Sequence, residues 1–485
     1  MTDNKISKDF LIYMIRTAIM ALGPVVMFPY ATRILGTVGI GRVQYIQSIA
    51  SYFQLAASFG IASYGLREGA KIRDDKERLG KLVSELIVLN LITTAVALTA
   101  YILISQINIF QNYKKLLWVF SLYVVFYGLN LDWVYNVLQD YVFITKRSVF
   151  SFLISFAVML LLLRSRDDEL IYAIVIILPY MLNCLWNFYG ITRRIKLFSG
   201  FRLQLKIHIR PCILLFSIII SSSIYSLLDT TMLGIMMNDE AVGLYTAASK
   251  LAKLLGQFTT AICTVFAPRL SYQVGRGNSK EFRELAKNAS NIITLIAIPC
   301  AVGLWTFSRQ AIEIFSGAEF IPASGAMKIL SLNLIFSTLD YLLGWQILVP
   351  NNKDNVLFIA TLVGAASDFI LNLLFVPRLG VQGAAAATLL AEFSVFVICF
   401  AKSREYMDMG VLVKHCLKCL VSAFPIILTG LWLSNYTLSA ILTFCIAVPL
   451  SALLYTVFLY ILKDESIRYV VNVIIDKINI HGKVK

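Results

Sequence analysis

Apolar residues fall in long blocks along the chain, and short polar segments separate one block from the next. Each block runs for about 20 residues, the length that a helix needs to cross a hydrocarbon core of about 30 Å. The pattern therefore predicts an all-α polytopic membrane protein with about 14 transmembrane helices. The predicted spans are 9–29, 43–65, 82–104, 115–138, 148–163, 170–191, 211–237, 241–267, 289–307, 321–349, 355–376, 382–401, 417–434 and 437–462.

The first block is expected to be a retained membrane span. It carries Arg16, extends to about Phe28 and is not followed by the small-residue cleavage site of a signal peptide. Composition agrees with a membrane protein, since 58% of the residues are apolar, 15% are charged and the mean hydropathy is +0.76. Soluble domains are about 25% charged, and their apolar residues are dispersed.

Positive charge is concentrated in alternate loops. With the N-terminus in the cytoplasm, the cytoplasmic segments hold 31 of the 43 lysines and arginines, and the outer segments hold 8. This asymmetry follows the positive-inside rule and predicts that both termini are cytoplasmic. It also explains the net charge of +15 through an anionic inner leaflet, so no nucleic-acid partner is expected. Because the loops are short, we expect the activity to lie within the membrane.

A Leu-Gly pair recurs at three predicted outer turns, at Gly36, Gly234 and Gly380. The first two are about 200 residues apart, close to the length of six spans. Internal repeats of this kind are typical of secondary transporters, in which one bundle rocks against the other, although tight turns need glycine in any case. The predicted units are an N-terminal six-helix lobe over 1–200, a pseudo-symmetric six-helix lobe over 201–402, and two extra helices with a cytoplasmic tail over 403–485.

Polar side chains recur at helical spacing inside several predicted spans, which places them on one face of each helix. In span eight the polar face contains Lys250, Lys253 and Gln257. In span two it contains Gln47 and Gln54. Because a charge costs roughly 2.5–3.5 kcal/mol at mid-bilayer, it normally faces a cavity or a partner. With the arginine of span one, these lysines favour a hydrated cavity for an anionic ligand. Lone Ser, Thr and Gln residues more often join helices to one another.

Carboxylates inside the spans are the candidates for ion coupling. Asp229 lies in span seven, Asp368 in span eleven and Glu392 near the middle of span twelve. Burial disfavours the charged form of a carboxylate, so such a group can bind a proton or a sodium ion. Pairing of Asp229 with Lys250 is an equal alternative. Asp132, near the end of span four, is expected to be an ordinary solvated carboxylate.

No metal or cofactor is expected, and the chain is not expected to be an enzyme. Cys416 and Cys419 form a C-x-x-C beside His415, but a zinc site would need further ligands, and the chain has only three histidines. The string GTVGIG at 36–41 does not fit the dinucleotide-binding pattern G-x-G-x-x-G.

Four stretches of the sequence resemble those of bacterial polysaccharide flippases, the O-antigen and capsule repeat-unit translocases of the multidrug/oligosaccharidyl-lipid/polysaccharide exporter superfamily. The resemblance covers the chain from about Phe10 to Ala401. The stretches are PYATRILGTVGIGRVQYIQSIASY from Pro29, LLDTTMLGIMMNDEAVGLYTAASKL from Leu227, APRLSYQVGRGN from Ala267 and FVPRLGVQGAAAATLLAE from Phe375.

This resemblance implies a function in O-antigen or other lipopolysaccharide biosynthesis. The family moves an undecaprenyl-pyrophosphate-linked oligosaccharide from the inner to the outer leaflet of the bacterial cytoplasmic (inner) membrane, by alternating access of two lobes. Membrane lipids, a polysaccharide polymerase and a chain-length regulator are the implied partners besides the oligosaccharide.

The resemblance also implies roles for basic residues. Relatives that carry the lipid-linked peptidoglycan precursor place basic residues of the first and eighth spans in the cavity, and Arg16, Lys250 and Lys253 occupy comparable places. Many relatives have arginine where Lys250 stands. The glycines after Pro29 are expected to form an outer gate turn. The arginines of that turn, Arg33 and Arg42, would either meet the phosphates or bind lipid headgroups.

Two alternatives stay open. The nearer one is an ion-coupled drug or cation exporter of the same superfamily, which would rely on carboxylates in an otherwise apolar cavity. The less favoured one is a polytopic polysaccharide-modifying enzyme, which would need a large outer loop or a His/Asp/Glu constellation near one face. The short outer loops and the three histidines, all in predicted cytoplasmic segments, argue against the enzyme.

Overall fold

The computed structural model describes residues 3–198 and 203–464, apart from the side chains of 3–22, 24, 218, 221, 222, 224 and 225. Every regular element within those ranges is helical, which confirms the all-α prediction. The chain forms two compact units, Met1–Gly243 and Leu244–Lys485. The lobe boundaries near 200 and 402 remain predictions, because compact packing does not define which segments move together.

In the first unit the long helix α1 packs against α3, α4 and α6, and α7 packs against α4 and α6. Buried apolar side chains of α2, α3 and α5, among them Trp133, form a core cluster at one end of these helices. The bounds are α1 Asp3–Ser58, α2 Ile61–Lys71, α3 Lys76–Ser105, a 3₁₀ turn Asn108–Tyr113, α4 Lys114–Gly128, α5 Asp132–Val137, α6 Tyr141–Leu162, α7 Glu169–Ile191 and α8 Lys206–Met236.

In the second unit α12 packs against α10 and α13, and α14 packs against α10 and α15. A cluster of buried apolar residues, from Cys263 to Leu412, fills the space around α12 and α13. The bounds are α9 Asp239–Gly275, α10 Ser279–Thr306, α11 Ser308–Ser316, a 3₁₀ turn Ala318–Ala323, α12 Ser324–Asp340, a π-helical segment Tyr341–Leu348, α13 Asp354–Ser403, α14 Met409–Leu433 and α15 Ala440–Ile461.

Two of the predicted Leu-Gly turns are sharp breaks inside long helices. Gly36 (φ 69°, ψ −174°) breaks α1, and Gly380 (φ 56°, ψ −129°) breaks α13. Glycine adopts such positive φ angles at little cost, whereas a residue with a Cβ is strained there. Gly234 differs, because it lies inside α8 and the turn follows at 237–238. A Cβ on Gly234 would lie 2.1 Å from the Tyr45 ring, so this glycine permits close packing.

The predicted count of spans is confirmed once these breaks are recognised. Within the described residues, ten helices are long and apolar enough to cross a membrane. One of the ten is α13, which Gly380 divides into two segments. α1, divided at Gly36, supplies two more spans and α8 supplies one. The total is the 14 that the sequence predicts.

A buried arginine holds three helices of the first unit together. Arg147 on α6 is only 4% exposed, and its Nη2 lies 2.6 Å from Oδ1 of Asp132 on α5. Its Nη1 also donates to Oδ1 of Asn187 on α7, whose amide donates to Asp132 Oδ1 at 2.9 Å. A buried cation needs such pairing and hydrogen bonding to be tolerated. The prediction of an ordinary solvated carboxylate at Asp132 is therefore wrong.

Two of the three histidines take part in buried hydrogen-bond chains. Nε2 of His208 lies 2.9 Å from Oε2 of Glu85, and its Nδ1 lies 2.9 Å from the hydroxyl of Tyr64, which fixes the start of α8 to α2 and α3. In the second unit, Nδ1 of His415 on α14 lies 2.8 Å from the hydroxyl of Thr294 on α10. Both histidines thus join helices, as buried polar groups generally must.

We expect Arg147 and Asp132 to contribute to stability as a coupled pair, because their charges lie against each other inside the first unit. Arg147→Met removes the cation that pairs with the Asp132 carboxylate, and breaking a buried pair in this way costs about 3–5 kcal/mol. Asp132→Asn combined with Arg147→Met removes both charges, so the double variant should lose less than the two single losses together. Reversible unfolding of the purified protein in detergent measures all three. Strictly additive losses would contradict the pairing.

Candidate functional site

A charged cluster surrounds the turn that interrupts α1. On Arg42, Nε lies 3.1 Å from Oδ2 of Asp239, and Nη1 lies 3.1 Å from Oε1 of Glu169. The hydroxyl of Tyr113 donates to the other oxygen of Asp239 at 2.7 Å. These four residues, which we call the Arg42 cluster, join α1, α7, the first residue of α9 and the 3₁₀ turn before α4.

Glycines bring the backbones beside the Arg42 cluster into direct contact. A Cβ on Gly41 would lie 1.7 Å from the carbonyl oxygen of Asp239, and a Cβ on Gly243 would lie 2.0 Å from the carbonyl oxygen of Thr37. No side chain fits at such distances, so the start of α9 lies against α1 only because both positions are glycine. The glycines that interrupt the first apolar block therefore provide a turn at Gly36 and a contact surface at Gly41.

The ion pairs of the Arg42 cluster are weaker than the packing beneath them. The Arg42 side chain is 46% exposed, and exposed pairs contribute about 0.2–1 kcal/mol. Tyr45 packs edge-on against Tyr113 with 5.5 Å between ring centroids, which adds buried apolar contact. A phosphate can reach the Arg42 guanidinium only by competing with two carboxylates. Arg33 is exposed, and its Nη1 donates to the carbonyl of Pro29 at 2.7 Å.

The polar face predicted for span two lies on the second half of α1. Gln44 donates to Oε1 of Gln47 at 2.9 Å, and the hydroxyls of Ser48 and Thr231 lie 3.0 Å apart. Thr231 belongs to α8, so Ser48, which lies beside this polar face, joins two helices of the first unit. Gln54 is buried and Gln47 is half-buried.

The predicted lysines lie on α9 in the second unit. Lys250 is half-buried, whereas Lys253 and Gln257 are exposed. The three-residue separation places the two ammonium groups on one face of the helix, one turn apart. Like charges so close repel each other, and an anion beside them would relieve that repulsion. Arg16 lies on α1, and its side chain is outside the described residues.

The three predicted coupling carboxylates are all embedded in helices. Asp229 is buried on α8, and Asp368 is fully buried on α13, where its backbone carbonyl accepts a hydrogen bond from Asn372. Glu392 is half-buried on the second segment of α13. Asp340, which ends α12 inside the predicted span 321–349, is a further buried carboxyl group that the sequence analysis did not single out.

We expect Gly41→Ala to separate the start of α9 from α1. The added methyl group meets backbone atoms that no rotamer change can move, so the loss should be about 1–3 kcal/mol, as for overpacked interiors. Gly303→Ala is the matched control, because a Cβ there has nothing within 4 Å. Thermal unfolding in detergent compares the two variants. Equal unfolding midpoints for Gly41→Ala and Gly303→Ala would contradict the close contact.

Comparison with known protein families shows which proteins this chain resembles. The family model described as "Polysaccharide biosynthesis protein" matches residues 6–273, more than half of the chain, and the MatE model matches residues 214–374. The Probable low-salt glycan biosynthesis flippase Agl15 of Haloferax volcanii is 26% identical over 190 residues, which are 39% of this chain and 39% of that protein. The Probable flippase AglR of the same organism is 26% identical over 168 residues, 34% of this chain and 35% of AglR. The chain thus matches about two fifths or less of the length of these relatives.

Solved structures share the fold. The Lipid II flippase MurJ in its inward closed conformation aligns with a TM-score of 0.70 at 17% identity, over 94% of this chain and 100% of MurJ. An inward-facing multidrug resistance MATE family transporter of the MOP superfamily aligns with a TM-score of 0.58 at 15% identity, over 83% of this chain and 99% of that chain. The resemblance inferred from the sequence is confirmed. Since one model accounts for more than half of its length, the chain belongs to the polysaccharide biosynthesis protein family.

Proposed function

We propose that this protein is a flippase for a lipid-linked oligosaccharide. Its cargo would be an undecaprenyl-pyrophosphate-linked repeat unit, moved from the inner to the outer leaflet by alternating access of the two predicted lobes. The observation that carries the proposal is the pair of lysines, Lys250 and Lys253, on a membrane-crossing helix of a polysaccharide biosynthesis protein. The printed names of Agl15 and AglR, both probable flippases, support the same reading.

The physical task explains why polar and cationic side chains lie on the spans. A glycan carries many hydroxyl groups, and each one costs several kcal/mol to place in hydrocarbon without a hydrogen-bond partner. The pyrophosphate adds negative charge that apolar lipid cannot accommodate. Side chains such as Gln54 and Gln257 would replace water around the sugar, and the polyprenyl tail would stay in lipid.

We assign the lysines to the pyrophosphate. Ammonium groups at Lys250 and Lys253, together with Arg16 on α1, would bind phosphate oxygens through charge-assisted hydrogen bonds. The Arg42 cluster would hold the outer turn in place through its ion pairs. Phosphates that arrive there would compete with Asp239 and Glu169 for the guanidinium and so release the turn. Arg33, which is exposed, would attract the phosphates to that turn. Gln47 would contact the glycan.

Ion coupling would come from the embedded carboxylates Asp229, Asp368 and Glu392. A carboxylate that binds a proton or sodium ion changes its charge, and this change can bias one conformation over another. An inside-negative potential would also favour outward movement of an anion by about 2.3 kcal/mol per charge per 100 mV.

The proposed setting is a cytoplasmic membrane, with both termini on the cytoplasmic side as the distribution of basic residues predicts. A polysaccharide polymerase and a chain-length regulator would then use the delivered oligosaccharide. Transport, with no catalytic step, is the role proposed for this protein.

A drug or cation exporter is the second candidate, because the MatE model matches residues 214–374. Such an exporter would bind cations, which the two lysines of α9 would repel. Replacement of both lysines should therefore alter drug resistance and leave surface glycan intact if the exporter reading is right.

We expect Lys250→Ala with Lys253→Ala to fail to support surface glycan in a deletion strain. Loss of two charge-assisted contacts, each about 1.5–3 kcal/mol, should lower transport by tenfold or more. Lipid-linked repeat units should accumulate with the glycan facing the cytoplasm, and the double Lys→Arg variant should restore much of the activity. Lys328→Ala is the matched control, since this lysine lies over the Trp305 ring at 5.5 Å.

We also expect Arg16→Ala to reduce surface glycan at normal protein levels. Surface glycan and cytoplasm-facing lipid-linked units are scored in the same strain. If surface glycan stays normal after Arg16→Ala, Arg16 does not belong to the proposed site. If it stays normal after Lys250→Ala with Lys253→Ala, the two lysines do not belong to it. Loss of glycan in the deletion strain without accumulation of lipid-linked units would count against a flippase.

A further inference from the structure

A groove in the second unit lies where three helices reach the predicted membrane surface. It has a volume of about 1060 Å³ and is lined by the beginning of α10, the end of α13 and the beginning of α14. Three of its lining residues, Ser290, Phe400 and Leu417, stand within one residue of the boundaries of predicted spans nine, twelve and thirteen. The groove therefore lies at the depth of lipid headgroups, on the side that the distribution of basic residues predicts to be cytoplasmic.

Each of the three helices turns one face toward the groove. Arg283 and Lys287 are four residues apart on α10, and Phe400 and Arg404 are four residues apart where α13 ends. Side chains with this spacing lie on the same face of a helix. The lining residues of α14 also share a single face, and they are Gly410, Val413, Lys414 and Leu417. The groove is thus built from three helical faces.

Positive charge predominates in the groove. The lining contains four basic side chains, those of Arg283, Lys287, Arg404 and Lys414. It contains two acidic ones, Glu284 and Asp408. Oδ1 of Asp408 accepts hydrogen bonds from the N–H groups of Gly410 at 2.8 Å and Val411 at 3.4 Å, so this carboxylate caps the start of α14. An excess of positive charge remains for a ligand.

The two arginines of the groove make contacts that do not neutralise them. Nη2 of Arg283 donates to the backbone carbonyl of Glu405 at 3.4 Å. Cζ of Arg404 lies 5.4 Å from the centroid of the Phe400 ring. A carbonyl dipole and an aromatic ring attract a cation, but neither carries a compensating charge. A phosphate oxygen would accept a stronger, charge-assisted hydrogen bond from either guanidinium.

An apolar surface continues from the groove along the outside of α14. Val413, Leu417 and Leu420 follow one another at spacings of four and three residues, and all three side chains are exposed. Leu417, the most exposed of them at 57%, also lines the groove. Phe400 and Met407 add apolar surface to the lining. A ligand that matches both parts has an anionic head and an apolar tail.

Other anions match this surface less well. Inorganic phosphate would bind the basic side chains and leave the apolar strip of α14 uncovered. The proposed cargo is assigned to Lys250 and Lys253 of α9, whereas the groove is lined by α10, α13 and α14. Basic pockets between membrane helices on the cytoplasmic side are a known setting for anionic lipid headgroups.

We propose that this groove binds a phospholipid with an anionic headgroup, such as phosphatidylglycerol, from the cytoplasmic leaflet. Its phosphate would bind Arg283, Arg404 and Lys414. Its acyl chains would lie along Val413 and Leu417. The bound lipid would bridge α10, α13 and α14 at their ends on this side. The lipid site does not rest on the proposed transport function, and either can fail without the other.

Native mass spectrometry of the purified, delipidated full-length protein tests the site. Phosphatidylglycerol, phosphatidylcholine or inorganic phosphate is added to the protein in neutral detergent. The groove variant combines Arg283→Gln, Arg404→Gln and Lys414→Gln. We expect it to bind phosphatidylglycerol at least about tenfold more weakly than the wild type, because each basic residue near an anionic lipid contributes about fivefold. Phosphatidylcholine should bind both proteins equally.

The matched control removes three positive charges from the same side of the same unit. It combines Arg276→Gln, Lys280→Gln and Lys402→Gln, which are exposed residues outside the groove lining. This variant should bind phosphatidylglycerol as the wild type does, and thermal unfolding verifies that both variants are folded. Equal loss of binding in the two variants, or no loss in the groove variant, would overturn the proposal. Inorganic phosphate that binds as tightly as phosphatidylglycerol would overturn the assignment to a lipid.

A second measurement uses the wild type alone. Phosphatidylglycerol or phosphatidylcholine with a photoactivatable acyl chain is crosslinked to the protein in vesicles, and peptide mass spectrometry locates the adducts. Leu428 and Leu431, exposed toward the other end of α14, serve as the internal reference. We expect the ratio of adducts at 413–417 to those at 428–431 to be at least about threefold higher with phosphatidylglycerol. The same ratio for both lipids would contradict the proposal.

Discussion

Within a hydrocarbon layer, a polar group has to find its partner inside the protein, because no water is available to satisfy it. Much of this structure answers that constraint. Arg147 binds Asp132 and Asn187, and His208 lies between Glu85 and Tyr64. Asp340 differs from these groups, since neither of its carboxyl oxygens accepts a hydrogen bond from the described residues. Lys250 and Lys253 lie one turn apart on α9, and we propose that they bind the pyrophosphate.

Close backbone contact is the second organising feature, and glycine makes it possible. Gly36 breaks α1, and the absence of side chains at Gly41 and Gly243 lets the start of α9 lie against α1. Arg42 then reaches Asp239 and Glu169 across that contact. Because these ion pairs are partly exposed, they contribute little free energy. The same turn therefore explains both the interruption of the first apolar block and its charged residues.

The fold could be predicted largely from the sequence, because the length of each apolar block is fixed by the thickness of the membrane. The Leu-Gly turns at 36 and 380 were equally visible, since a positive φ angle requires glycine. The candidate site was harder to predict from the sequence. Arg42 and Asp239 are 197 residues apart, and nothing local to either one reveals the pairing. The π-helical segment has no signal in the hydrophobic pattern.

The account depends on cationic side chains of a membrane-spanning helix carrying an anionic, glycan-bearing lipid across the bilayer. The most direct measurement uses proteoliposomes that contain a fluorescent polyprenyl-pyrophosphate oligosaccharide and the purified protein. A membrane-impermeant lectin reports how quickly the glycan moves between the leaflets. The account predicts movement well above that of protein-free vesicles, and little movement for the protein with alanine at positions 250 and 253. Wild-type protein that moves the lipid no faster than empty vesicles would contradict it.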